Sequence, residues 1–313
     1  MAASEMAPFA RTGALADGMA ALPSALRQAG HDVRVVLPYY RTIRDGRDFS
    51  VRPTKIRFAV PVGEARYDCE IYEARAADGV QVFFIGRDEF FDRSGLYGSS
   101  GRDYQDNAAR FIFFNKCVIE LAKRLTPVPD ILHAHDWQAA LLPLLAKSQS
   151  LPWPVVLSVH DPAYQGNFWS YDFGLTNLPP DYFSARGLEF YGSMNFLKGG
   201  ILFADRVVLP SELYVSEAQT REFGCGLDAV FRENAGKLAG IPDGVDVTQW
   251  DPASGRHLAA PYSAAGLGGK RACRDQLLAQ FSLQANPKGP VFAMVSRLVQ
   301  EKGLDILLPA LDR

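Results

Sequence analysis

The chain has 313 residues, with 33 Lys and Arg against 35 Asp and Glu, a formal net charge of -2 and 48% hydrophobic residues. At that length roughly two domains fit, and folding buries about 75% of the unfolded surface, so a large core can form without staples. A near-neutral chain without blocks of like charge does not suit general nucleic-acid binding, and no apolar run reaches the ~20 residues of a membrane span.

Residues 1–10 carry Glu5 and Pro8 and no apolar run, so no secretory leader is expected. Leu15, Met19, Leu22 and Leu26 recur at helical spacing up to Gly30, with a kink or restart expected at Pro23. His31–Pro38 reads as a strand. Three short runs between Lys55 and Gly86, separated by Gly and Asp turns, read as an antiparallel excursion. A long helical pattern covers Asp103–Leu125. Strand Asp130–Ala134, helix Gln138–Lys147 and strand Val155–Val159 follow.

After a Tyr-, Phe-, Gly- and Pro-rich stretch, the spacing predicts helix Met194–Phe203, strand Arg206–Leu209 and helix Glu212–Glu222. Helix Lys270–Phe281, strand Val291–Val295 and a helix from Gly303 close the chain. This alternation implies an α/β architecture with mainly parallel sheets. The composition places the best boundary between about Pro242 and Pro290. Cys69, Cys117, Cys225 and Cys273 are far apart without a CxxC pair, as in reduced thiols of a cytoplasmic protein.

Four constellations could carry chemistry. Arg11-Thr12-Gly13-Ala14 opens the first helix, where free amides and the positive dipole end suit an anion. Arg11 adds a fork of donors and Asp17 can accept from sugar hydroxyls, although Thr12 can equally be a plain N-cap. His133-Ala134-His135-Asp136 follows a strand, at the carboxyl edge where open α/β sheets bind ligands. The two histidines raise a metal pair but no third ligand stands at a usual spacing, and Asp136 can also be a helix N-cap. His160-Asp161-Pro162-Ala163-Tyr164-Gln165 ends a second strand, with no G-x-S-x-G elbow anywhere to supply a hydrolase serine. Arg297 and Lys302 flank a strand-to-helix turn and suit a diphosphate leaving group, against the plainer reading of a solvated basic turn beside Glu301.

Taken together, SEMAPFARTGALADGMAALPSAL, HAHDWQAAL, HDPAYQG, LEFYGSMNFLKGGILFADRV, GIPDGVDVTQWDP and SRLVQEKGLDIL resemble bacterial glycogen synthase and plant starch synthase over essentially the whole chain. The resemblance implies a metal-free, retaining glycosyltransferase of two Rossmann-like domains (the GT-B architecture). Such an enzyme moves glucose from ADP-glucose to the non-reducing end of an α-1,4-glucan, in the cytoplasm. It further implies an N-terminal acceptor-side domain over 1–245, an interdomain segment over 246–289, and over 290–313 only the first βα unit of the nucleotide-sugar domain.

By the same resemblance, His160 contacts the transferred glucose, and Asp136 and Asp17 lie near the sugars. Arg11, Thr12 and Gly13 fall on the KTGGL motif at the donor phosphates, Arg297 and Lys302 hold the diphosphate, and Tyr97 borders the acceptor. Asp161, Tyr164 and Gln165 complete the second strand end as substrate-binding positions. Arg11 replaces the family lysine, Ala14 the second glycine, Asp161 an asparagine and Glu301 a glutamine. The resemblance also implies truncation at both ends, so little synthase activity is expected of the chain alone. The competing expectation is a non-catalytic glucan-binding or regulatory remnant, its aromatic stretch Tyr164–Tyr191 stacking on sugar. Expected partners are ADP-glucose and α-1,4-glucan, with neither nucleic acid, membrane nor resident cofactor.

Overall fold

The computed structural model describes residues 1–46, 49–247, 250–283, 289–296, 298 and 302–311. They fall into two units, Met1–Val245 and Asp246–Arg313.

In the first unit, short apolar strands separated by helices assemble two four-stranded ladders. One is wholly parallel, in the order Leu238–Gly240, Arg206–Leu209, Val155–Ser158 and Leu132–His135. The other runs Arg34–Pro38, Gln81–Gly86, Ala65–Arg75 and Arg52–Val62. Its first pair is parallel and the rest antiparallel, so the expected excursion is the outer half of a mixed sheet.

Residues 1–3 join the two ladders. Ala2 bridges Val36 on one side and Ala134 on the other, both in parallel. Its amide donates to the His133 carbonyl (2.7 Å) and its carbonyl accepts from the His135 amide (3.0 Å). The Val36 amide donates to the Met1 carbonyl (2.8 Å) and the Ala3 amide to the Val36 carbonyl (3.2 Å). A segment that supplies both neighbours must be buried, and Ala2 and Ala3 are, their small side chains fitting between the layers.

Helix Ala14–Gln28 runs unbroken through Pro23, burying Met19 and Pro23. Helix Asn107–Ala122 is shorter than its sequence pattern because Arg102–Asp103 pairs with Gly98–Ser99 in a small hairpin. It is buried on nearly every side, its polar Asn107, Arg110, Asn115 and Lys116 included. The helix expected over Gln138–Lys147 is two pieces, Asp136–Ala139 and Leu142–Ser148. Pro143 lacks an amide hydrogen and so starts the second piece rather than continuing the first. Helix Glu212–Glu217 stops short of Glu222.

Two buried lysines hold loops rather than face ligand. Lys116 Nζ donates to the carbonyl of Pro61 and to Asn177 Oδ1, both at 2.7 Å. Lys198 Nζ donates to the carbonyls of Ala185, Gly187 and Glu189. In the second unit, helices Gly269–Gln280 and Leu304–Leu311 form. The strand expected at Val291–Val295 does not: the segment has no ladder partner among the described residues, and Phe292 and Val295 are exposed. Extended backbone becomes a strand only when a neighbour takes up its amides and carbonyls. All four cysteines are free.

Gly166 ties the second strand end to the core. Its φ of +64° lies in the left-handed region, and a Cβ there would stand 2.6 Å from the Trp137 ring. Gly166→Ala is therefore expected to cost about 1–3 kcal/mol. Urea unfolding of the purified chain checks this, and an unchanged midpoint would refute it.

Candidate functional site

The strand order changes sense at the Ala2 seam: strand Arg34–Pro38 lies on one side and Leu132–His135 on the other, all running parallel. Parallel strands that diverge at such a point leave a crevice beyond their carboxyl ends. Four segments leave the sheet there: Ser4–Glu5 after the seam, Asp136 after Leu132–His135, His160 after Val155–Ser158, and Asp243 after Leu238–Gly240.

Glu5 organises the first. It is only 4% exposed, and its carboxylate accepts from the Thr12 amide (2.5 Å), the Thr12 hydroxyl (2.6 Å), the Gly13 amide (3.1 Å) and the Tyr97 hydroxyl (2.6 Å). Tyr97 also exchanges a hydrogen bond with Ser4 (2.7 Å). The N-cap of helix Ala14–Gln28 is thus Gly13, with no side-chain cap of its own, and a carboxylate eight residues earlier does that work. Two of the amides expected to face an anion are therefore engaged by Glu5. The exposed start of the helix at Ala14 and the exposed Arg11 remain open to one. Arg11 pairs with Asp17 at 2.9 Å across exposed surface, a bond worth little and readily exchanged for a ligand. Burial pushes the Tyr97 phenol well above its ordinary value, so it donates to Glu5 as a neutral group.

The second and third strand ends meet directly. Asp136 has a φ of +55°, a strained value for a residue with a side chain. Its Oδ1 accepts from the His160 amide at 2.8 Å, so the carboxylate caps the neighbouring strand end instead of its own helix. Burial raises Asp136 above the usual carboxylate range, although the charge and amide of His160 work against it. His160 Nδ1 stands 3.9 Å from Asp243 Oδ1 and Nε2 stands 3.1 Å from His135 Nδ1. Burial alone would hold His160 down, but Asp243 and Asp136 outweigh it and the imidazole titrates above its ordinary value. Beneath them lies an aromatic layer in which Trp137 packs edge-on against Phe111 (4.8 Å) and against Phe168 (5.6 Å).

The sequence-derived residues separate into groups. Arg11, Thr12, Gly13, Asp17 and Tyr97 share the Glu5 loop, and Asp136, His160 and Asp161 share the strand-end pair. Asp161 makes a local turn, accepting from the Ala163 amide at 2.9 Å. Tyr164 is partly exposed beside it. Gln165, expected at the substrate, is 8% exposed and fully engaged: Nε2 donates to the Pro162 and Cys225 carbonyls and Oε1 accepts from Asn195. Lys302 is an exposed residue of the second unit, just before helix Leu304–Leu311, and Arg297 lies outside the described residues.

The aromatic stretch divides as well. Phe168, Phe173, Tyr182 and Phe183 pack against the core, whereas Trp169 (68% exposed) and Tyr171 (76% exposed) stand in solvent with ring centroids 4.5 Å apart. Among the described residues no group of three or more His, Cys, Asp or Glu is arranged to hold a metal ion, and no helix is long and apolar enough to cross a membrane.

Glu5 and Asp243 are the site residues that the sequence reading passed over, and His135, weighed there as half of a metal pair, bonds to His160 instead. Glu5 acts over eight residues, outside any local capping spacing, so no helix rule finds it. Asp243 had a usable signal, since it follows a short strand at the same sheet edge as His160.

A family model described as the starch synthase catalytic domain matches residues 1–233. The chain is 44% identical to glycogen synthase of Opitutus terrae, covering 98% of this chain and 65% of that protein. It is 40% identical to glycogen synthase 2 of Geobacter sulfurreducens, covering 100% and 66%. It superposes on the catalytic domain of starch synthase IV from Arabidopsis thaliana, bound to ADP and acarbose, with a TM-score of 0.89 and 29% identity, covering 100% of this chain and 65% of that one. The chain thus spans about 65% of the length of the relatives it matches.

Two outcomes test this geometry. In Glu5→Ala the Thr12 and Gly13 amides are expected to exchange with solvent about tenfold faster or more, having lost a bond worth ~1–2 kcal/mol; unchanged exchange by NMR would refute the Glu5 assignment. The raised pKa of His160 supplies stability in full below the ordinary value of 6.5, lost as pH rises through the folded value. NMR titration is expected to give a midpoint above 6.5, falling in Asp243→Asn; a midpoint below 6.5 would contradict the pairing with Asp243.

Proposed function

The chain belongs to the starch synthase catalytic domain family, and from that premise we propose that it forms the acceptor-side part of a cytoplasmic glycosyltransferase. The reaction is transfer of glucose from ADP-glucose to the non-reducing end of an α-1,4-glucan, with retention. Residues 1–245 form the acceptor-side domain, 246–289 the connection, and 290–313 the beginning of a Rossmann-like nucleotide-sugar domain, in a GT-B arrangement.

The observation that carries this reading is the placing of His160, Asp136 and the Glu5-held loop at the carboxyl edge of the sheet, where the strand order switches. A sugar bound there meets His160 and Asp136 on one wall, and the start of helix Ala14–Gln28 with Arg11 on the other. In the transfer, the bond from the anomeric carbon to the diphosphate breaks as the acceptor hydroxyl bonds that carbon and passes its proton to the departing diphosphate oxygen. The charge that develops lies on the diphosphate, so cations and helix amides placed beforehand lower the barrier. Arg11 is the cation that residues 1–245 supply for that role. Holding the acceptor hydroxyl on the face of the glucose from which the diphosphate departs supplies much of the remaining effect, and retention then needs no side-chain nucleophile. The reading uses no metal and no resident cofactor.

A second reading, a glucan-binding remnant without turnover, draws on the exposed Trp169 and Tyr171 pair, whose faces suit sugar rings.

Radiolabelled glucose transfer to glycogen separates the two. The chain joined to the remaining C-terminal third of the Opitutus terrae relative is expected to turn over ADP-glucose in preference to UDP-glucose, while the chain alone gives little. In that chimaera His160→Ala should lower kcat about 100-fold, and Arg11→Ala should raise the ADP-glucose KM about tenfold. Glycogen co-sedimentation without turnover in the chimaera would overturn the synthase reading in favour of the second.

A further inference from the structure

His135 lies between two other imidazoles, and nothing assigned above uses it. Its ring centroid is 4.1 Å from that of His133 and 5.4 Å from that of His160, with the His160 ring 18° from parallel. The side chain is buried, the residue being 1% exposed. Nδ1 forms the 3.1 Å bond with His160 Nε2, while Nε2 is buried with no partner. Burial holds His135 well below the ordinary histidine range, helped by His133, His160 and the terminal amine of Met1. His133 is likewise held down, to about 3, and its Nε2 is taken up by the Ser158 hydroxyl at 2.8 Å.

A neutral imidazole has one N–H to place. His135 can put it on Nδ1, donating to His160, or on Nε2, where it would be a buried donor without an acceptor. Leaving a buried N–H unpaired is the costlier choice, whereas a bare ring nitrogen lone pair gives up less. Donation from His135 Nδ1 in turn requires His160 Nε2 to be an acceptor. The one proton of neutral His160 then sits on Nδ1, facing Asp243 at 3.9 Å.

The geometry points to His135 as a positioning residue that fixes His160 as its Nδ1–H tautomer, with Nε2 turned into the protein. Nε2 of neutral His160 is thereby held by His135, while Nδ1 stands 3.9 Å from Asp243, longer than a hydrogen bond. His160 consequently meets a ligand as a ring whose Nε2 is taken up inside the protein, leaving the Nδ1–H as the one ring donor it can offer. The charged and titratable groups around this pair are Asp136, Asp161, Asp243, His133 and the Met1 amine. None offers His135 Nε2 a hydrogen bond. The inference deepens the glucosyl-transfer reading and rests on it for its consequence, but the tautomer itself is read without substrate, so the two can fail separately.

The test is long-range 1H–15N NMR of the histidine rings in the uniformly labelled chain, at a pH above the His160 midpoint. The expected spectrum has the proton of His160 on Nδ1 and that of His135 on Nδ1, with coupling across the hydrogen bond. An unconstrained imidazole prefers Nε2–H, so a His160 proton on Nε2 would overturn the proposal from the wild-type spectrum alone. In His135→Leu the donor is gone, and His160 is expected to shift from nearly all Nδ1–H to mostly Nε2–H. A folded Leu variant whose His160 stays on Nδ1–H would assign the tautomer to Asp243 and overturn the role of His135. Should the Leu variant not fold, the wild-type spectrum still decides.

Discussion

The site depends on three residues of backbone. Residues 1–3 bridge the two ladders, and Ala2 bonds to both. The seam does two things at once. It makes one sheet of the two ladders, so that a core extends from Val35 and Leu37 on one side to Leu157 and Val207 on the other. It also delivers Ser4 and Glu5 into the crevice in register with Asp136, because the His135 amide and the Ala2 carbonyl share a hydrogen bond immediately before both. Large side chains at positions 2 and 3 would wedge the ladders apart, since close-packed interiors take up extra volume only with strain.

From that seam the chemistry follows by proximity. Glu5 is a buried carboxylate satisfied by four donors, which is the condition under which burying a charge is tolerable. Its effect is to rigidify the loop before helix Ala14–Gln28 and to tie it to Tyr97, ninety-two residues away in sequence. The opposite wall is built on different terms. Asp136 holds a strained backbone and a raised pKa, His160 is drawn upward by two carboxylates, and His133 and His135 are kept neutral. Perturbed groups of both signs gathered at one sheet edge mark it as a candidate site.

Much of this was legible in the sequence, for identifiable reasons. Strand Arg206–Leu209 and the strand ends at His135 and Ser158 have apolar runs bounded by polar residues, and they lie where the pattern placed them. The family motifs named the residues on both walls, although not what each bonds to. What was not legible depends on distant partners. The hairpin runs were readable as antiparallel strands, but their parallel attachment to Arg34–Pro38 is a pairing that no single-strand pattern encodes. Residues 1–3 are too few for any periodicity, so their place between the ladders could not be seen. Glu5 and Gln165 exchanged expected characters for the same reason: an unremarkable glutamate found four donors, and a motif glutamine found three structural partners. Val291–Val295 failed in the opposite sense, having a strand's composition without a neighbour to pair with.

The seam is open to direct measurement by native-state amide exchange in the intact chain. If residues 1–3 unite the sheet, the Val36 and His135 amides exchange only through global opening. They should then share one opening free energy with the buried amides of both ladders. Seam amides that exchange through a separate, lower-energy opening, with the two ladders giving different stabilities, would contradict the account.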